Sequence, residues 1–365
     1  MKIVFLCKRQ YMSKDVILDK YARLYEIPNQ LALLGHEVEC FCLSYQSHEN
    51  GVWDESTNKK KLKWHSKSYK GIKKVNIVSY PFKLLSNIQK LKPDIIISAS
   101  DIPHIILGAW VAKKLNIPFV ADLYDNFEAY GQAKIPLIKT LFHRALNQAK
   151  IITTTSQSLA NKIQNDHPNV KNIFAMPSVI DQNIFHVGNK VEARQYLGLP
   201  LRVPLIGTAG GLTKMKGIHE LFDAWEIIKK ENPECYLVLA GPTELETPLP
   251  QDDRVIYLGL LAHHEVAKLF QALDIGVMCI PNDEFGKYCF PQKAYEMLAC
   301  HLNVVSSAVG DMTYLLEDDQ LFMNSHELAI KSLDRLNNLT NHNIDVSTWE
   351  MSVGQLNHKF NALFF

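Results

Sequence analysis

The sequence predicts an α/β protein made of two parallel-sheet domains, and three observations support this fold class. First, the chain has 365 residues, more than one hydrophobic core of ordinary size accommodates. Second, apolar runs of strand length alternate with amphipathic runs of helix length, as in sheets buried on both faces. Third, this alternation restarts after an irregular stretch at 174–190, FAMPSVIDQNIFHVGNK, which we interpret as a linker.

The first series of elements begins with a strand at 2–7, KIVFLC, whose apolar run is too short for a signal peptide. A helix ending at Gly35 and a strand with the sequence VECFCL follow. Further strands are predicted at 94–99, 118–124 and 151–156, with the helix HIILGAWVAKKL between the first two. Right-handed connections between such strands give a Rossmann-like layered domain.

The second series begins near residue 203 and has a similar size. Its predicted strands are VPLIG, CYLVLAG, VIYLG, IGVMCI and NVVSS, and its first helix is IHELFDAWEIIKK. The final segment, STWEMSVGQLNHKFNALFF, carries apolar residues at helical spacing. We expect an N-terminal domain at 1–183, completed by the helix 346–365, and a C-terminal domain at 184–345. Two such domains leave a ligand cleft at the carboxyl ends of their strands.

Composition excludes several function classes. The net charge of +1 gives no sign of nucleic-acid binding, and no apolar run has the length of a transmembrane helix. The seven cysteines lack zinc-like spacing, so we expect reduced thiols in a cytoplasmic protein and no metal site. Residues 58–74 carry eight lysines and no acid, NKKKLKWHSKSYKGIKK. This segment is either a solvated loop or a contact with an anionic membrane or a phosphate-bearing acceptor.

The stretch GTAGGLTKMKG at 207–217 follows a predicted strand and opens a helix. Gly210 and Gly211 would let a backbone approach a phosphate closely, and Lys216 would neutralise a diphosphate. A tight strand-to-helix turn with no ligand is the alternative. The glycine spacing is neither that of a Walker A loop nor GxGxxG, which argues against kinase and nicotinamide chemistry.

Glu296 lies among apolar residues in the stretch FPQKAYEMLACHLNVVSS. Pro291 suits the first turn of a helix, which places Lys293 and Glu296 within one turn of each other. A carboxylate can accept two hydroxyl hydrogen bonds at once, which suits a ribose diol. A structural Lys293–Glu296 bridge is the alternative, and taken alone this stretch favours the bridge.

The order of these motifs resembles that of the retaining GT-B glycosyltransferases of family 4. The matching stretches are the glycine turn with Lys216, then VLAGP, VIYLG, DIGVMCIP and the PxKxxE motif of FPQKAYE. In the N-terminal half, KPDIIISASDIPHIILGAWVAKKLNIPFVADLYD and IITTTSQSLANKI match as well. The resemblance implies a GT-B fold, in which two Rossmann-like parallel-sheet domains face each other across a cleft and a C-terminal helix returns to the N-terminal domain.

By this resemblance, the C-terminal domain holds a nucleotide-diphosphate sugar and the N-terminal domain holds the acceptor. The implied donor-binding residues are Gly210, Gly211, Gly241, Lys216, Lys293 and Glu296. No cofactor or metal is required, because lysine and helix dipoles supply the positive charge.

Two positions depart from the family pattern. The family arginine falls on Gly211, so one phosphate cation is missing, for which Lys214 and Arg202 are candidate replacements. The first glutamate of the family pair falls on Tyr288, and Glu284 in the nearby DEFG is the candidate replacement at the donor sugar.

On the acceptor side, the stretch DLYDNFE brings three acidic residues to a strand end: Asp122, Asp125 and Glu128. Asp125 is the catalytic candidate, since it can orient or deprotonate an acceptor hydroxyl. Helix capping or solvation of a loop is the alternative for these acids. His104 follows another strand and lines the same mouth in this interpretation, or has a structural role. A retaining transfer needs no protein base, whereas an inverting one would use Asp125.

We therefore expect a cytoplasmic glycosyltransferase, peripheral on the inner face of the membrane if 58–74 binds lipid. It would transfer a sugar to a lipid-linked or polysaccharide acceptor in bacterial envelope synthesis. A non-catalytic subunit that binds a sugar nucleotide is the rival from another class. A GT-B nucleotide-sugar epimerase is the enzymatic rival, and it would need more carboxylates and histidines in the cleft.

Overall fold

The computed structural model of the protein describes residues 1–68, 74–338 and 347–364. The chain divides into two compact units: unit 1 is Met1–Val179 with Ser347–Phe365, and unit 2 is Ile180–Val346. Each unit contains a sheet of mainly parallel strands with helices packed on it. The predicted α/β class with two parallel-sheet domains is therefore confirmed.

Unit 1 is built around an eight-stranded sheet that is parallel except at one edge. The strands of this unit are β1 (Lys2–Lys8), β2 (Gln10–Tyr11), β3 (Lys14–Asp15), β4 (Glu37–Ser44), β5 (Gly51–Asp54), β6 (Lys61–Ser68), β7 (Ile95–Ala99), β8 (Phe119–Leu123), β9 (Ile151–Thr154) and β10 (Ile173–Ala175). The order in the sheet is β10-β9-β8-β7-β1-β4-β6-β5, while β2 and β3 form a separate antiparallel pair. The central strands are fully buried, which explains their continuous apolar sequences.

The first five helices also belong to unit 1. They are α1 (Ala22–Leu33), α2 (Lys74–Leu91), α3 (Ile102–Leu115), α4 (Ile138–Leu146) and α5 (Gln157–Asp166). Helix α3 begins after Asp101, whose carboxylate accepts the amide hydrogen of His104, and ends at Asn116 in the left-handed conformation. Among the described residues, no helix combines the length and the apolar character that crossing a bilayer requires.

In the described part of the lysine-rich segment, residues 58–60 form a loop, but the prediction of a solvated loop is wrong for the residues that follow. Its residues 61–68 form β6, in which buried and exposed side chains alternate. Leu62 and Trp64 are fully buried, whereas Lys63 points outward and pairs with Asp54 at 3.3 Å. The lysines therefore lie on the solvent face of a strand near the edge of the sheet. Residues 69–73 of this segment lie outside the described residues.

Unit 2 contains a six-stranded parallel sheet with the order β13-β12-β11-β14-β15-β16. Its strands are β11 (Leu205–Ala209), β12 (Tyr236–Ala240), β13 (Val255–Tyr257), β14 (Ile275–Met278), β15 (Asn303–Ser307) and β16 (Leu321–Phe322). Its helices are α6 (Lys190–Tyr196), α7 (His219–Glu231), α8 (His263–Ala272), α9 (Gln292–Ala299), α10 (Met312–Leu315) and α11 (Ser325–Asn337).

The last helix, α12 (Trp349–Phe364), packs against α1 and so belongs to unit 1. Val353, Leu356 and Phe360 are buried in the same apolar cluster as the residues of α1 and β1. The side chain of Asn357 adds a hydrogen bond to His36 at 2.8 Å. The predicted return of the C-terminal helix to the N-terminal domain is confirmed.

Candidate functional site

The strand order of unit 2 reverses between β11 and β14. In open α/β sheets, ligands bind outside the carboxyl ends of the strands at such a reversal. Gly210 and Gly211 follow β11 directly, and the loop that leaves β14 leads to α9 with Lys293 and Glu296. Except for Gly241, which follows β12, the predicted donor-binding residues therefore lie in segments that follow the two strands flanking the reversal.

Two glycines hold this turn in a conformation that other residues rarely adopt. Gly210 has a φ of +121°, and Gly241, which follows β12, has a φ of +126°. A Cβ on Gly241 would lie 2.0 Å from the carbonyl oxygen of Gly210, so Gly241 is required for close packing of the two turns. The amide of Gly210 donates to the carbonyl oxygen of Ala240 at 2.9 Å, whereas within the described part of the chain the amide of Gly211 donates no hydrogen bond. Of Gly210 and Gly211, Gly211 is thus the one whose N–H group is available to a ligand.

The ammonium group of Lys293 lies beside Gly210. A Cβ on Gly210 would be 2.2 Å from Nζ, so the glycine leaves the space that this ammonium group occupies. Across the described ranges, no carboxylate oxygen lies within 4.0 Å of this Nζ. Burial lowers the pKa of Lys293 to about 8, while Glu296 opposes this effect and repulsion from Lys216 adds to it.

Lys216 supplies a second cation at the same turn. It ends a short 3₁₀ turn, and its Cγ lies 3.7 Å from a Cβ placed on Gly211. Its Nζ lies 4.9 Å from the centroid of the Phe285 ring, and no acidic side chain in the part of unit 2 that the structure describes forms an ion pair with it. Two ammonium groups that repel each other, and that have no carboxylate oxygen within 4.0 Å among the described residues, create a site that an anion would stabilise.

Glu296 is buried on α9, one helical turn after Lys293. Its carboxylate accepts a hydrogen bond from Nε2 of Gln292 at 3.0 Å and lies 3.8 Å from Nε2 of His263. Burial raises the pKa of Glu296, although Gln292, His263 and Lys293 each oppose this shift. The predicted Lys293–Glu296 bridge is not formed, because the two charged groups are more than 4.0 Å apart. The bridge therefore does not explain why a carboxylate is buried at this position.

Glu284 and Arg202, the candidate replacements for the missing family glutamate and arginine, lie in different parts of unit 2. Glu284 is exposed in the loop between β14 and α9 and pairs with Lys287 at 3.5 Å. It directly precedes Phe285, the ring that contacts Lys216, so it lies near the cation site. Arg202 precedes β11 and therefore lies at the amino end of the sheet, away from the glycine turn. The hypothesis that Arg202 replaces the family arginine is wrong.

Unit 1 also has a reversal of strand order, between β1 and β7. His104 lies there at the start of α3, and its Nδ1 is 2.6 Å from the carboxylate of Asp101. The hydroxyl of Tyr45 donates to the same carboxylate at 2.9 Å. On the other strand, Nζ of Lys8 donates to the hydroxyl of Tyr124 at 2.8 Å, and burial lowers the pKa of this lysine. The structure thus gives His104 polar neighbours that the sequence analysis did not name.

Asp122 is enclosed in the core of unit 1. Both of its carboxylate oxygens accept hydrogen bonds from Nε of Arg23, at 2.9 and 3.0 Å, and the hydroxyl of Thr153 donates to one of them at 2.6 Å. Asp122 and Arg23 are 1% and 0% exposed. This pairing gives Asp122 a structural explanation that needs no acceptor.

We expect Asp122→Asn to lower the free energy of unfolding by about 2 kcal/mol, because it leaves the buried guanidinium of Arg23 without its charged partner. Urea unfolding measures this change. Asp54→Asn is the control, since it breaks an exposed ion pair with Lys63 on the same sheet and should cost little. If both substitutions lower the free energy of unfolding equally little, the buried pair of Asp122 and Arg23 is not formed. Asp122 would then again be a candidate for binding the acceptor.

The two other acidic candidates have partners of their own. Asp125 accepts hydrogen bonds from the hydroxyl of Tyr130 and from the amide of Asn126. Glu128 pairs with Lys162 and His143, each at 3.2 Å. Burial would raise the pKa of Glu128, but these two partners outweigh burial and hold it below its usual value. Asp125 thus lies on the loop that follows β8 and His104 in the first turn of α3, which follows β7, whereas Glu128 is held by α4 and α5.

Sequence reasoning missed Lys8, Tyr45, Asp101 and Tyr124. One signal was available for three of them: Lys8 ends β1, Asp101 follows β7 by two residues and Tyr124 follows β8 by one. Polar residues at the carboxyl ends of adjacent parallel strands are expected to meet at one edge. No comparable signal identified the contact of Tyr45 with Asp101.

Two family models match the chain. Residues 22–183 match the model described as Glycosyltransferase Family 4, and residues 203–338 match the model described as Glycosyl transferases group 1. A D-inositol 3-phosphate glycosyltransferase of Stackebrandtia nassauensis is 28% identical over 259 residues, covering 64% of this chain and 55% of that relative. The match therefore spans little more than half of the relative's length. An N-acetyl-alpha-D-glucosaminyl L-malate synthase of Bacillus anthracis is 21% identical, covering 80% of this chain and 76% of that protein.

Solved structures agree with the fold. HepE of Anabaena, crystallised with UDP, superposes with a TM-score of 0.69 at 16% identity, over 100% of this chain and 99% of that one. A sucrose-phosphate synthase of Thermosynechococcus elongatus gives a TM-score of 0.67 at 17% identity, with the same coverage. HepE has also been crystallised with UDP-glucose. Together with the two family models, which span most of the chain, these likenesses show that the protein belongs to the GT-B glycosyltransferases of the family 4 type.

Proposed function

We propose that unit 2 binds a nucleotide-diphosphate sugar and that the protein transfers the sugar to a hydroxyl of a glycan or lipid-linked acceptor in bacterial envelope synthesis. The observation that carries this proposal is the pair of lysines, Lys216 and Lys293, at the Gly210–Gly211 turn. In the described chain neither ammonium group has a carboxylate partner, and their repulsion contributes to the lowered pKa of Lys293. A diphosphate would supply the missing negative charge.

Lys293 is our candidate for the cation that the missing family arginine would provide. A side chain on Gly210 would occupy the position of its ammonium group, which the glycine leaves open. The side chain of Lys216 approaches the same turn beside Gly211. Two cations and the amide of Gly211 would stabilise the charge that develops on the departing nucleoside diphosphate, so that no metal or cofactor is required.

Glu296 is our candidate for binding the ribose. A buried carboxylate is costly unless it gains strong hydrogen bonds, and only Gln292 donates one to it among the described residues. The two hydroxyls of a ribose would supply such bonds. Because Lys293 and Glu296 are one helical turn apart on α9, the same short helix would contact the diphosphate and the adjoining ribose.

The proposed reaction retains the configuration of the sugar. The bond between the anomeric carbon and the phosphate oxygen breaks, the acceptor oxygen bonds to the same carbon, and the acceptor proton passes to the departing phosphate. Glu284 would contact the donor sugar, and Asp125 and His104 would orient the acceptor. If transfer inverts the configuration instead, Asp125 is the candidate base.

The relatives support this substrate class. HepE binds UDP and UDP-glucose, and the Stackebrandtia relative is named for transfer to an inositol phosphate. A non-catalytic subunit that binds a sugar nucleotide is the second candidate function. It is favoured by one observation, namely that Glu284 is exposed and paired with Lys287.

Thermal unfolding in the presence of UDP-, GDP-, ADP- and CMP-sugars tests donor binding. A donor at 100 times its dissociation constant should add about 2.7 kcal/mol to the stability of the folded state. Release of the nucleoside diphosphate, by transfer or slow hydrolysis, then separates an enzyme from a binding subunit. Failure of every donor to raise the melting temperature would contradict both candidates.

A further inference from the structure

A cavity of about 730 Å³ lies at one edge of the sheet of unit 1. Its lining includes Phe41 on β4, His65 on β6 and Val52 on the edge strand β5, which are partners in one row of the sheet and therefore project from the same face. Helix α2 adds Tyr80 and Leu84 to the lining. The volume falls within the range of small-molecule sites, roughly 300–1,000 Å³. We call this cavity the edge cavity.

The strand side of the edge cavity carries an ordered aromatic pair. The rings of Phe41 and His65 stack with their centroids 4.6 Å apart and their planes 11° apart. Nε2 of His65 lies 2.6 Å from the carboxylate of Glu39, which fixes the orientation of the imidazole ring. Small-molecule sites combine such aromatic surfaces with a few polar groups that orient the ligand. A sugar ring suits this combination, because its C–H groups can pack on aromatic rings while its hydroxyls reach polar side chains.

The polar groups of the edge cavity have hydrogen-bonding capacity that the described chain does not use. Within the described ranges, neither the hydroxyl of Tyr80 nor the side-chain amide of Asn87 forms a hydrogen bond, and burial raises the pKa of Tyr80. The Oδ1 atom of Asn50 accepts the amide hydrogen of Ser68 at 2.6 Å, which leaves the NH₂ group of Asn50 for a ligand. Because a polar group that is withdrawn from water without a partner costs free energy, ligand hydroxyls would stabilise these side chains.

The edge cavity is also positively charged. Lys67 on β6 and Lys83 on α2 belong to its lining and are exposed. In the described chain, no acidic residue lines the cavity, and neither ammonium group has a carboxylate oxygen within 4.0 Å. By contrast, Lys63 on the same face of β6 lies outside the lining and pairs with Asp54 at 3.3 Å. The cavity therefore favours a ligand that carries a negative charge.

The edge cavity lies beside the acceptor-side residues of unit 1. Burial, Asp101 and Tyr80 raise the pKa of Tyr45, so the phenol of Tyr80 is a close neighbour of the phenol of Tyr45. The hydroxyl of Tyr45 donates to the carboxylate of Asp101, which also contacts His104. Tyr80 thus connects the cavity with the carboxyl ends of β4 and β7, where the acceptor would lie.

We propose that the edge cavity binds an acidic sugar of the acceptor glycan, whose ring contacts Phe41 and His65 and whose anionic group contacts Lys67 and Lys83. The hydroxyls of this sugar would bind Tyr80 and the two asparagine amides. The identification of the ligand as part of the acceptor rests on the proposed transferase function, whereas the ligand chemistry rests on the cavity alone. A uronic acid, with its carboxylate, and a sugar phosphate both provide this chemistry.

Titration followed by ligand-observed NMR tests the proposal with the whole protein and without donor. The probes are three methyl glycosides that differ only at C6, namely the neutral sugar, the uronate and the 6-phosphate, each in the gluco, galacto and manno series. We expect an acidic glycoside to bind at least about tenfold more tightly than its neutral counterpart, and high salt to reduce this difference. Stronger binding of the uronate or of the phosphate identifies which anionic group the cavity prefers.

Three variants locate the binding, and one control makes the result specific. Lys67→Gln and Lys83→Gln should each weaken binding of the acidic glycoside roughly fivefold and leave the neutral one unchanged. Tyr80→Phe should weaken both roughly fivefold without lowering the melting temperature, because its hydroxyl has no partner within the described residues. Lys61→Gln is the matched control, since Lys61 is an exposed lysine on the same face of β6 but lies outside the edge cavity.

The proposal is wrong if no acidic glycoside binds, if the neutral glycosides bind as tightly, or if Lys61→Gln weakens binding as much as Lys67→Gln does. It is also wrong if uridine monophosphate binds with the same dependence on Tyr80 and Lys83 while the acidic glycosides do not, since the cavity would then be a nucleotide site. The thermal shift produced by a nucleotide-sugar donor should be the same in all four variants. If no donor binds but the acidic glycosides do, the proposed function fails and the ligand chemistry of the cavity is supported.

Discussion

Replacing Lys293 by methionine should weaken binding of the nucleoside diphosphate roughly 100-fold, and the Lys216→Met/Lys293→Met double variant should weaken it by roughly three orders of magnitude. Each lysine would make a charge-assisted hydrogen bond to phosphate, since the ammonium group of Lys293 and the side-chain stem of Lys216 lie beside the same glycine turn. Isothermal titration with the nucleotide that gives the largest thermal shift measures this loss.

The same substitution should stabilise the protein that has no ligand. Burial lowers the pKa of Lys293 to about 8, below its ordinary value of 10.5, so the charged form is disfavoured in the folded state. This penalty is fully present below pH 8 and disappears above the unfolded value. Lys293→Met should therefore raise the free energy of unfolding at pH 7 by roughly 2 kcal/mol, while nucleotide affinity falls. A residue that costs stability and is needed for binding has a functional role.

Affinity should also depend on pH. Because a bound diphosphate raises the pKa of Lys293, binding takes up protons above pH 8, and affinity should fall up to about tenfold per pH unit there. Lys293→Met should lose this dependence. Lys214→Met is the matched control, since Lys214 is an exposed lysine on the same 3₁₀ turn as Lys216, whereas Lys293 is half-buried. If Lys214→Met lowers the affinity and Lys293→Met does not, then Lys214 and not Lys293 replaces the missing arginine.

Local sequence pattern predicted the two sheets because parallel strands that are buried on both faces are continuously apolar. The same criterion failed for β6, where lysines occupy the outward positions of Lys61–Ser68 and conceal an alternation of buried and exposed residues. Leu62, Trp64, Ser66 and Ser68 are buried, and a search for period two would have found the strand. The lysine content alone led to the prediction of a loop.

The positions of candidate site residues could be predicted where a single loop or helix carries them, as with Gly210 and Gly211 directly after β11. Contacts between segments that are far apart in the sequence could not be predicted. The partner of Asp122 is Arg23, 99 residues away, and no local feature of the DLYDNFE stretch distinguishes a buried ion pair from an acceptor site. Likewise, the space that Gly210 leaves for Lys293 depends on how β11 and α9 pack. Sequence therefore predicted which residues lie near the glycine turn of unit 2 better than how their charges pair.

Glu296→Gln should reduce affinity for the nucleoside diphosphate roughly 100-fold and should abolish discrimination against its 2′,3′-dideoxy analogue. A carboxylate that accepts hydrogen bonds from both ribose hydroxyls contributes nothing to the binding affinity when those hydroxyls are absent. The variant should therefore bind the natural and dideoxy nucleotides with affinities within about threefold of each other, whereas the unaltered protein should prefer the natural one.

The effect of Glu296→Gln on the stability of the protein distinguishes ribose binding from a structural role of Glu296. Burial raises the pKa of Glu296, so the ionised group costs stability above its unfolded pKa, and that cost disappears as pH falls below it. The neutral glutamine should leave the melting temperature at pH 7 unchanged or higher. Glu284→Gln is the control: its exposed carboxylate lies outside α9, so the preference for the ribose hydroxyls should persist. If Glu296→Gln lowers the melting temperature yet retains that preference, Glu296 holds α9 in place through its contact with His263 on α8, and the ribose is bound elsewhere.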